Sequence, residues 1–233
     1  MIHQLIFASP KPGMTESAFQ DYWVNVHAVQ YASKIVQIRR YMVDTRVSFA
    51  GEVLGASGPL FGGVAEIWIK EEEELASLES KEFIEGARRD EPNWAAFWRT
   101  VGIDTDAHVL EPGPELSRSD GMIKLLTLVK RREGVPLPVF RGYSLAVHAP
   151  LALAVPGLRR YWQCHTRDSS YAVGEPMFDA AFLSWFDDVP TVEAMLTNDS
   201  YRRATDDLDT FAEPRYLHTM ACGEHWIIGP EFR

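Results

Sequence analysis

The amino-acid sequence predicts an α+β fold in which two similar βαββαβ units follow one another in one chain. Three observations predict it. A set of residues recurs at a fixed spacing, the hydrophobic periodicity gives the same order of elements in both copies, and a polar segment rich in Pro and Gly separates them at 111–121. The 233-residue chain therefore divides into units at 1–113 and 121–233.

The internal repeat is defined by both residue type and spacing. The matching pairs are Phe19/Phe140, Tyr22/Tyr143, His27/His148 and Ala28/Ala149 at an offset of 121, Arg39-Arg40-Tyr41/Arg159-Arg160-Tyr161 at 120, and Trp68/Trp185 and His108/His225 at 117. Along the chain the offset falls from 121 to 120 and then to 117, as expected if the loops of the second copy are one and then three residues shorter. A duplicated unit explains this pattern better than chance does.

Local patterns predict the elements of the first unit in order. Thr15 is a suitable N-cap because its hydroxyl can accept from a free backbone N–H, and the carboxylates of 71–74 favour a helix start. The predicted elements are a strand at 2–7, a helix with Phe19, Tyr22, Trp23 and Val26 on one face, a strand at 39–47, a turn with Gly51, Gly55 and Gly58, a strand at 64–69, a helix from Glu71 that buries Leu75 and Leu78, and a strand at 107–110.

The second unit repeats this order. Its predicted elements are a strand at 123–129, a helix that ends near His148, strands at 159–165 and 180–186, a helix through 192–196 and a strand at 226–228. The order βαββαβ gives a four-stranded antiparallel sheet with both helices on one face, the ferredoxin-like arrangement. The strands at 64–69 and 180–186 are too apolar to leave the other face in water. We therefore expect the two sheets to close into an α+β barrel with an internal cavity for a small apolar ligand.

Composition excludes several classes of function. With 23 basic and 33 acidic residues, the net charge of −10 would repel nucleic acid and an anionic bilayer. The sequence shows no signal segment and no apolar run that could span a membrane. Cys164 and Cys222 are too few for a disulfide framework. We expect a cytoplasmic protein without nucleic-acid or membrane partners, and the absence of glycine-rich nucleotide loops argues against NAD or ATP binding in the usual modes.

The repeated residues resemble the EthD family of the dimeric α+β barrel superfamily. The resemblance rests on Phe19 to Ala28 with Ile38 to Tyr41 in the first copy, and on His148-Ala149-Pro150-Leu151 with Pro156 to Tyr161 in the second. It implies a tandem of two ferredoxin-like units packed as a pseudo-dimeric α+β barrel, as a monomer or homodimer. Each copy departs from the family string, because Val29-Gln30 replace Pro and Leu, and Ser144 stands where the first copy has Trp23. The two halves therefore need not both be active.

The family resemblance implies cyclases, dehydratase-like or decarboxylase-like proteins, lactone isomerases or cofactor-free oxygenases that act on aromatic or polyketide-like compounds. His27 and His148 are the candidate acid/base groups, since an imidazole beside a cavity transfers protons near neutral pH. The alternative for each is a histidine that only fixes the end of its helix.

Arginine and tyrosine pairs open the second strand of each copy. Arg39 or Arg159 could neutralise negative charge that develops on the substrate, although a surface ion pair is the more frequent role of such a residue. Tyr41 or Tyr161 could donate a phenol hydrogen to an oxygen, or could simply line the cavity. The aromatic side chains that we expect to bind a flat substrate by stacking are Trp23, Trp68, Phe182 and Trp185.

Metal and haem binding are the cofactor alternatives. His218, Cys222 and His225 have ligand-like spacing in isolation, but no fourth ligand is evident, and we predict no metal. A noncovalent haem on His27, His148 or another histidine is an alternative that relatives of the barrel suggest. The leading hypothesis is a cofactor-independent lyase, cyclase or isomerase, and the rival hypotheses are a cofactor-free or haem-dependent oxygenase and a noncatalytic aromatic-ligand-binding protein.

Overall fold

Eight antiparallel strands form the centre of the computed structural model, which describes residues 1–52, 58–118 and 121–233. Gly55 of the predicted turn, and positions 119 and 120 of the predicted boundary segment, lie outside the described residues. The strands are β1 (Ile2–Ala8), β2 (Ile38–Val47), β3 (Gly63–Ile69), β4 (Val101–Glu111), β5 (Ile123–Val129), β6 (Arg160–Thr166), β7 (Ala180–Phe186) and β8 (His218–Ile228).

The strands close into one barrel in the order β1-β3-β2-β8-β5-β7-β6-β4, with β4 returning to β1. Within it, the order β4-β1-β3-β2 of the first unit is repeated as β8-β5-β7-β6 in the second. The units join at two equivalent seams, where β2 pairs with β8 and β4 pairs with β6. The sequence-based prediction of a pseudo-dimeric α+β barrel is confirmed, and a single chain supplies both halves.

Helices cover the outer face of each sheet. The α-helices are α1 (Glu16–Tyr22), α2 (Glu74–Leu78), α3 (Arg88–Asp90), α4 (Leu137–Tyr143), α5 (Ala149–Leu153), α6 (Asp168–Val173), α7 (Val189–Met195) and α8 (Asp199–Phe211). In the described parts of the chain, three π-helical segments continue or precede them, at Trp23–Tyr31, Glu82–Ala87 and Ser144–His148. Thr15 caps α1 as predicted, because its hydroxyl accepts from the N–H of Ala18. Within the described parts of the chain, no helix combines the length and apolar character needed to cross a membrane.

The barrel interior is filled by side chains, which corrects the predicted position of the cavity. Alternation along each strand directs one set of residues inward, and these form a buried apolar cluster around Leu5, Phe7, Leu126, Leu183 and Trp185. The hollows that histidines reach lie instead on the opposite face of each sheet, under the helices. The sheet faces without helices pack against one another inside the barrel. The two cavities lie on the opposite faces, between the sheet and the helices.

Several elements differ from the sequence-based expectation. β4 and β8 each begin several residues before the predicted strands, because each pairs with a strand of its own unit as well as with the other unit. The helix α8 was not predicted. Leu75 and Leu78 are 66% and 48% exposed, not buried, because the segment is broken into short 3-10, α and π turns that do not present one continuous face to the sheet.

Candidate active site

The first cavity lies between the outer face of β1, β2 and β3 and the helical segments of the first unit. Its volume is about 110 Å³, and side chains from the sheet form its floor. Half-exposed Leu78 lies at its rim, so this end reaches solvent. The side chains that matter most for its chemistry are Trp23, His27, Tyr41, Glu91 and Trp94. The cavity is therefore mainly apolar and aromatic, with one imidazole and one carboxyl group.

His27 is held in a hydrogen-bonded group with Asp90 and Tyr22. The Nδ1 atom of His27 lies 2.9 Å from Oδ2 of Asp90. The phenol of Tyr22 donates to Oδ1 of the same carboxylate at 2.9 Å, and the amide of Asn93 donates to it as well. A carboxylate on Nδ1 fixes the orientation of the ring and places the acceptor role on Nε2.

The environment of His27 favours the neutral imidazole. Burial lowers the pKa of His27, and the hydrogen bond and charge of Asp90 oppose that shift only in part. Nε2 has no hydrogen-bond partner among the described residues, while the ring contacts Trp94 with a centroid separation of 4.7 Å. Burial, with the Asp90 hydrogen bond, also raises the pKa of Tyr22 to about 12, so this phenol stays a donor. Nε2 can accept a proton from a molecule in the cavity.

The second unit repeats this arrangement. The Nδ1 atom of His148 lies 3.0 Å from Oδ2 of Asp207, and the phenol of Tyr143 donates to Oδ1 of Asp207 at 2.8 Å. Burial lowers the pKa of His148, against the opposing effect of Asp207. His148 lines a second cavity of about 160 Å³ under the helices of the second unit.

Both histidines lie on π-helical turns. His27 is within Trp23–Tyr31, and His148 ends Ser144–His148. A π turn widens the helix by one residue and is frequent at functional sites. Here it occurs at the same place in both copies, so the feature belongs to the duplicated unit and not to one half.

Asp90 and Asp207 were missed by the sequence analysis, although they are equivalent. They are separated by 117 positions, the offset already shown by Trp68 and Trp185. The repeat spacing therefore relates the two aspartates. However, Asp90 lies among charged residues that resemble the solvent-exposed face of an ordinary helix. Only the fold shows that this carboxylate turns toward His27.

The predicted cavity residues divide into two groups. Trp23 and Tyr41 line the first cavity, and Tyr161 and Phe182 line the second. Burial raises the pKa of both tyrosines, so their phenols remain protonated.

Trp68 and Trp185 do not line either cavity. Trp68 stacks on His3 at 4.3 Å between ring centroids, and Trp185 donates its indole hydrogen to Glu224. Both side chains point into the barrel because strand residues alternate between the two faces. The two tryptophans thus lie in the barrel interior, where the ligand cavity was predicted, and away from the cavities that His27 and His148 line.

Arg39 and Arg159 lie outside the cavities. Arg39 forms a bidentate ion pair with Glu73, and Arg159 forms a bidentate ion pair with Asp187. Neither residue lines a cavity. Their neighbours Arg40 and Arg160 point to the barrel side, where Arg160 donates to the carbonyls of Pro112 and Pro114. The predicted charge-neutralising role therefore has no geometric support.

The residues present do not fit the cofactors considered from the sequence. Among the described residues no group of three or more His, Cys, Asp or Glu side chains is placed to hold a metal. His225 contacts Thr45 at 2.9 Å on the exposed side of β8, whereas Cys222 is buried inside the barrel. A cavity of about 150 Å³ accommodates a single benzene ring, so a four-pyrrole haem exceeds both the first cavity, at about 110 Å³, and the second, at about 160 Å³.

The fold and the two cavities define a pseudo-dimeric α+β barrel with one histidine–aspartate pair per half. The EthD domain matches residues 11–97 and again 132–215. The chain therefore belongs to the EthD family and carries its domain twice. No curated protein sequence matches the chain significantly.

Solved structures that resemble the whole chain share its fold at low sequence identity. An anthrone oxidase-like protein has a TM-score of 0.65 and 12% identity, over 97% of this chain and 92% of that one. A provisionally assigned monooxygenase from Lactobacillus acidophilus has 0.51 and 10%, over 98% of each chain. Another from Fusobacterium nucleatum has 0.58 and 6%, over 100% of this chain and 95% of that one. These similarities establish the architecture.

Proposed function

We propose that this protein is a cofactor-independent enzyme that moves a proton on a small aromatic substrate, with His27 as the general base. The observation that carries the proposal is the buried imidazole that lines a mainly apolar cavity, with its Nδ1 held by Asp90 and its Nε2 without a hydrogen-bond partner among the described residues. A base of this kind suits enolisation, dehydration, ring closure or isomerisation.

The proposed proton path uses three side chains. His27 Nε2 removes a proton from carbon or oxygen of the substrate, and Asp90 stabilises the imidazolium that forms. The phenol of Tyr41, which lines the same cavity, can donate to an oxygen that gains negative charge. The imidazolium then returns the proton to another carbon or to a leaving group, which completes an isomerisation or an elimination.

The size of the cavity limits the substrate. Since about 150 Å³ accommodates benzene, the 110 Å³ first cavity suits a single ring that extends toward the rim. Trp23 and Trp94 supply aromatic walls for stacking. We therefore favour a substituted one-ring substrate over a three-ring compound such as an anthrone.

A second candidate function is a cofactor-free oxygenase. It is favoured by the similar structures described as anthrone oxidase-like and as a monooxygenase. The first step would be the same proton removal. The resulting carbanion would then reduce O₂, so that a CH₂ group and O₂ give a C=O group and water.

Proton exchange tests the step that both candidates share. Phenylacetone in D₂O would be followed by NMR for exchange of its α-hydrogens, with and without the protein. We expect His27→Ala to lower the protein-catalysed rate about 10²–10⁴-fold. His225→Ala is the matched control, because this exposed histidine lies outside both cavities. An unchanged rate in His27→Ala would remove His27 from the mechanism.

Oxygen consumption separates the two candidates. An oxygen electrode would record uptake during incubation with one-ring and three-ring substrates. No uptake together with proton exchange supports the isomerase or lyase, whereas stoichiometric uptake supports the oxygenase. Recovery of a bound aromatic compound unchanged, with no exchange, would favour the noncatalytic binding protein.

A further inference from the structure

The floors of the two cavities differ at structurally equivalent positions. Ile6 lies opposite Ala65 in the β1–β3 pair, and Thr127 lies opposite Phe182 in the β5–β7 pair. These registers show that Thr127 takes the place of Ile6. By the same registers, Ser184 takes the place of Ile67. Two isoleucines in the first cavity thus correspond to two hydroxyl groups in the second. The reverse exchange occurs at Gln4, whose amide already donates to Glu74 and Asp104 and which corresponds to Leu125.

Hydroxyl groups of the second cavity have donors and acceptors that are not used in hydrogen bonds within the protein. The hydroxyls of Thr127 and Thr219 lie 3.1 Å apart, so one donates to the other and one donor remains. The hydroxyl of Ser184 makes no hydrogen bond to any other side chain or backbone group that the structure describes, although the backbone of Ser184 pairs within the sheet. All three side chains line the cavity. A polar group left without a partner favours a ligand that supplies one.

Apart from Thr205, whose hydroxyl donates to the carbonyl of Tyr201, the rest of the second cavity is aromatic, aliphatic and uncharged. The rings of His148 and Phe182 lie nearly parallel at 5.3 Å between centroids, and Tyr161 is also part of the lining. No Asp, Glu, Lys or Arg side chain is among the described residues that line it. The first cavity, in contrast, includes the carboxyl group of Glu91.

We propose that the second cavity is a separate binding site for a neutral aromatic ring that carries hydroxyl or carbonyl oxygens. Ser184 and the Thr127–Thr219 pair bind those oxygens on the floor, and the ring packs against Phe182 and His148. The first cavity, with Ile6 and Ile67 on its floor, takes a ring with apolar substituents on that side. This inference rests on the proposed function only in treating both cavities as ligand sites.

Two ligands of matched size test whether the two cavities prefer different substituents on the ring. Resorcinol and meta-xylene carry two hydroxyl or two methyl groups on the same ring positions. Titration of each into the full-length protein would be followed through the NMR signals of the His27 and His148 rings. We expect resorcinol to shift the His148 signals and meta-xylene to shift those of His27.

Exchanging the floor residues tests whether the hydroxyl groups determine which cavity binds resorcinol. We expect the double variant Thr127→Ile with Ser184→Ile to weaken resorcinol binding at the second cavity about tenfold or more, as lost hydrogen bonds predict. Binding of meta-xylene at the first cavity should not change. The reciprocal variant, Ile6→Thr with Ile67→Ser, should bring resorcinol to the first cavity. Ser184→Ala, a smaller change, is measured in case a double variant does not fold.

Equal binding of resorcinol by the wild-type protein and by Ser184→Ala or the double variant would overturn the inference. Resorcinol shifts confined to His27 would do the same. None of these measurements requires turnover. A protein that binds selectively but exchanges no protons would therefore contradict the proposed function and leave this inference standing.

Discussion

His3 and Lys124 occupy equivalent positions in the first strand of each half, and both contact the carboxylate of Glu66 inside the barrel. The Nε2 atom of His3 lies 2.7 Å from one oxygen of Glu66, and the ammonium of Lys124 contacts the other. Lys124 also lies 2.8 Å from Asp44 and 2.8 Å from Glu224. A basic residue therefore stands at both equivalent positions, and Lys124 contacts three carboxyl groups, those of Asp44, Glu66 and Glu224.

The interior charge cluster is fully enclosed, so its members depend on one another. Lys124, Asp44 and Glu66 have no exposed side-chain surface. Burial opposes the charge of Lys124, but the surrounding carboxylates hold its pKa well above the ordinary value. Burial raises the pKa of Asp44 well above its ordinary value despite the attraction of Lys124.

Lys124→Met is expected to destabilise the protein strongly. Removing one partner of a buried ion pair costs about 3–5 kcal/mol because the remaining charge has no compensation. The free energy of unfolding would be measured by urea denaturation. Lys81→Met is the matched control, since Lys81 is 77% exposed and lies 3.8 Å from Glu85, and such a surface pair contributes little. Equal stability of the two variants would show that the cluster is not coupled as described.

His165 couples stability to pH. It is almost fully buried, with Nε2 contacting Ser144 at 3.0 Å and Nδ1 unpaired among the described residues. Burial, with the nearby His108 and Arg141, lowers the pKa of His165 to about 3. Below pH 6.5 the unfolded chain binds a proton at this ring and the native protein does not. Stability is therefore lost as the pH falls from 6.5 toward 3.

The expected contribution of His165 is about 2–3 kcal/mol of stability lost between pH 6.5 and 4.5. His165→Gln removes this titration, so its free energy of unfolding should fall less steeply over that range. Urea denaturation at several pH values would measure both proteins. Because the two proteins differ only at this residue, parallel curves would contradict the assignment to His165.

Asp90→Asn tests how the carboxylate acts on His27, within the proposed function. Asp90 raises the pKa of His27 against the larger effect of burial, so its removal should move the acid limb of the kcat/KM profile to lower pH. The plateau should fall about 10²–10⁴-fold, because the imidazolium loses its partner. A variant damaged only in folding would lose activity without a shift of the midpoint. Asp207→Asn, the equivalent change in the second half, should leave the His27 profile unchanged.

The repeat made the barrel predictable, because two copies of one hydrophobic pattern support each other. The spans of β5 and β7 match the predicted strands, and the pairing of Trp68 with Trp185 gave the correct equivalence of β3 and β7. The location of the cavity was not predictable in the same way. The strand at 64–69 carries apolar side chains on both faces, with Glu66 as its one charged residue, so its sequence does not indicate which face meets the other unit.

The sequence alone determined that this chain is a duplicated α+β protein with a histidine at the same place in each copy, since local patterning and spacing are properties of the chain itself. Tertiary structure decided what those histidines face. Closing the barrel turned Trp68 and Trp185 inward and filled the interior with side chains, and the two cavities lie where helical segments cover the outer faces. The partnership of His27 with Asp90 joins residues 63 positions apart, and only folding brings such distant groups within hydrogen-bonding distance.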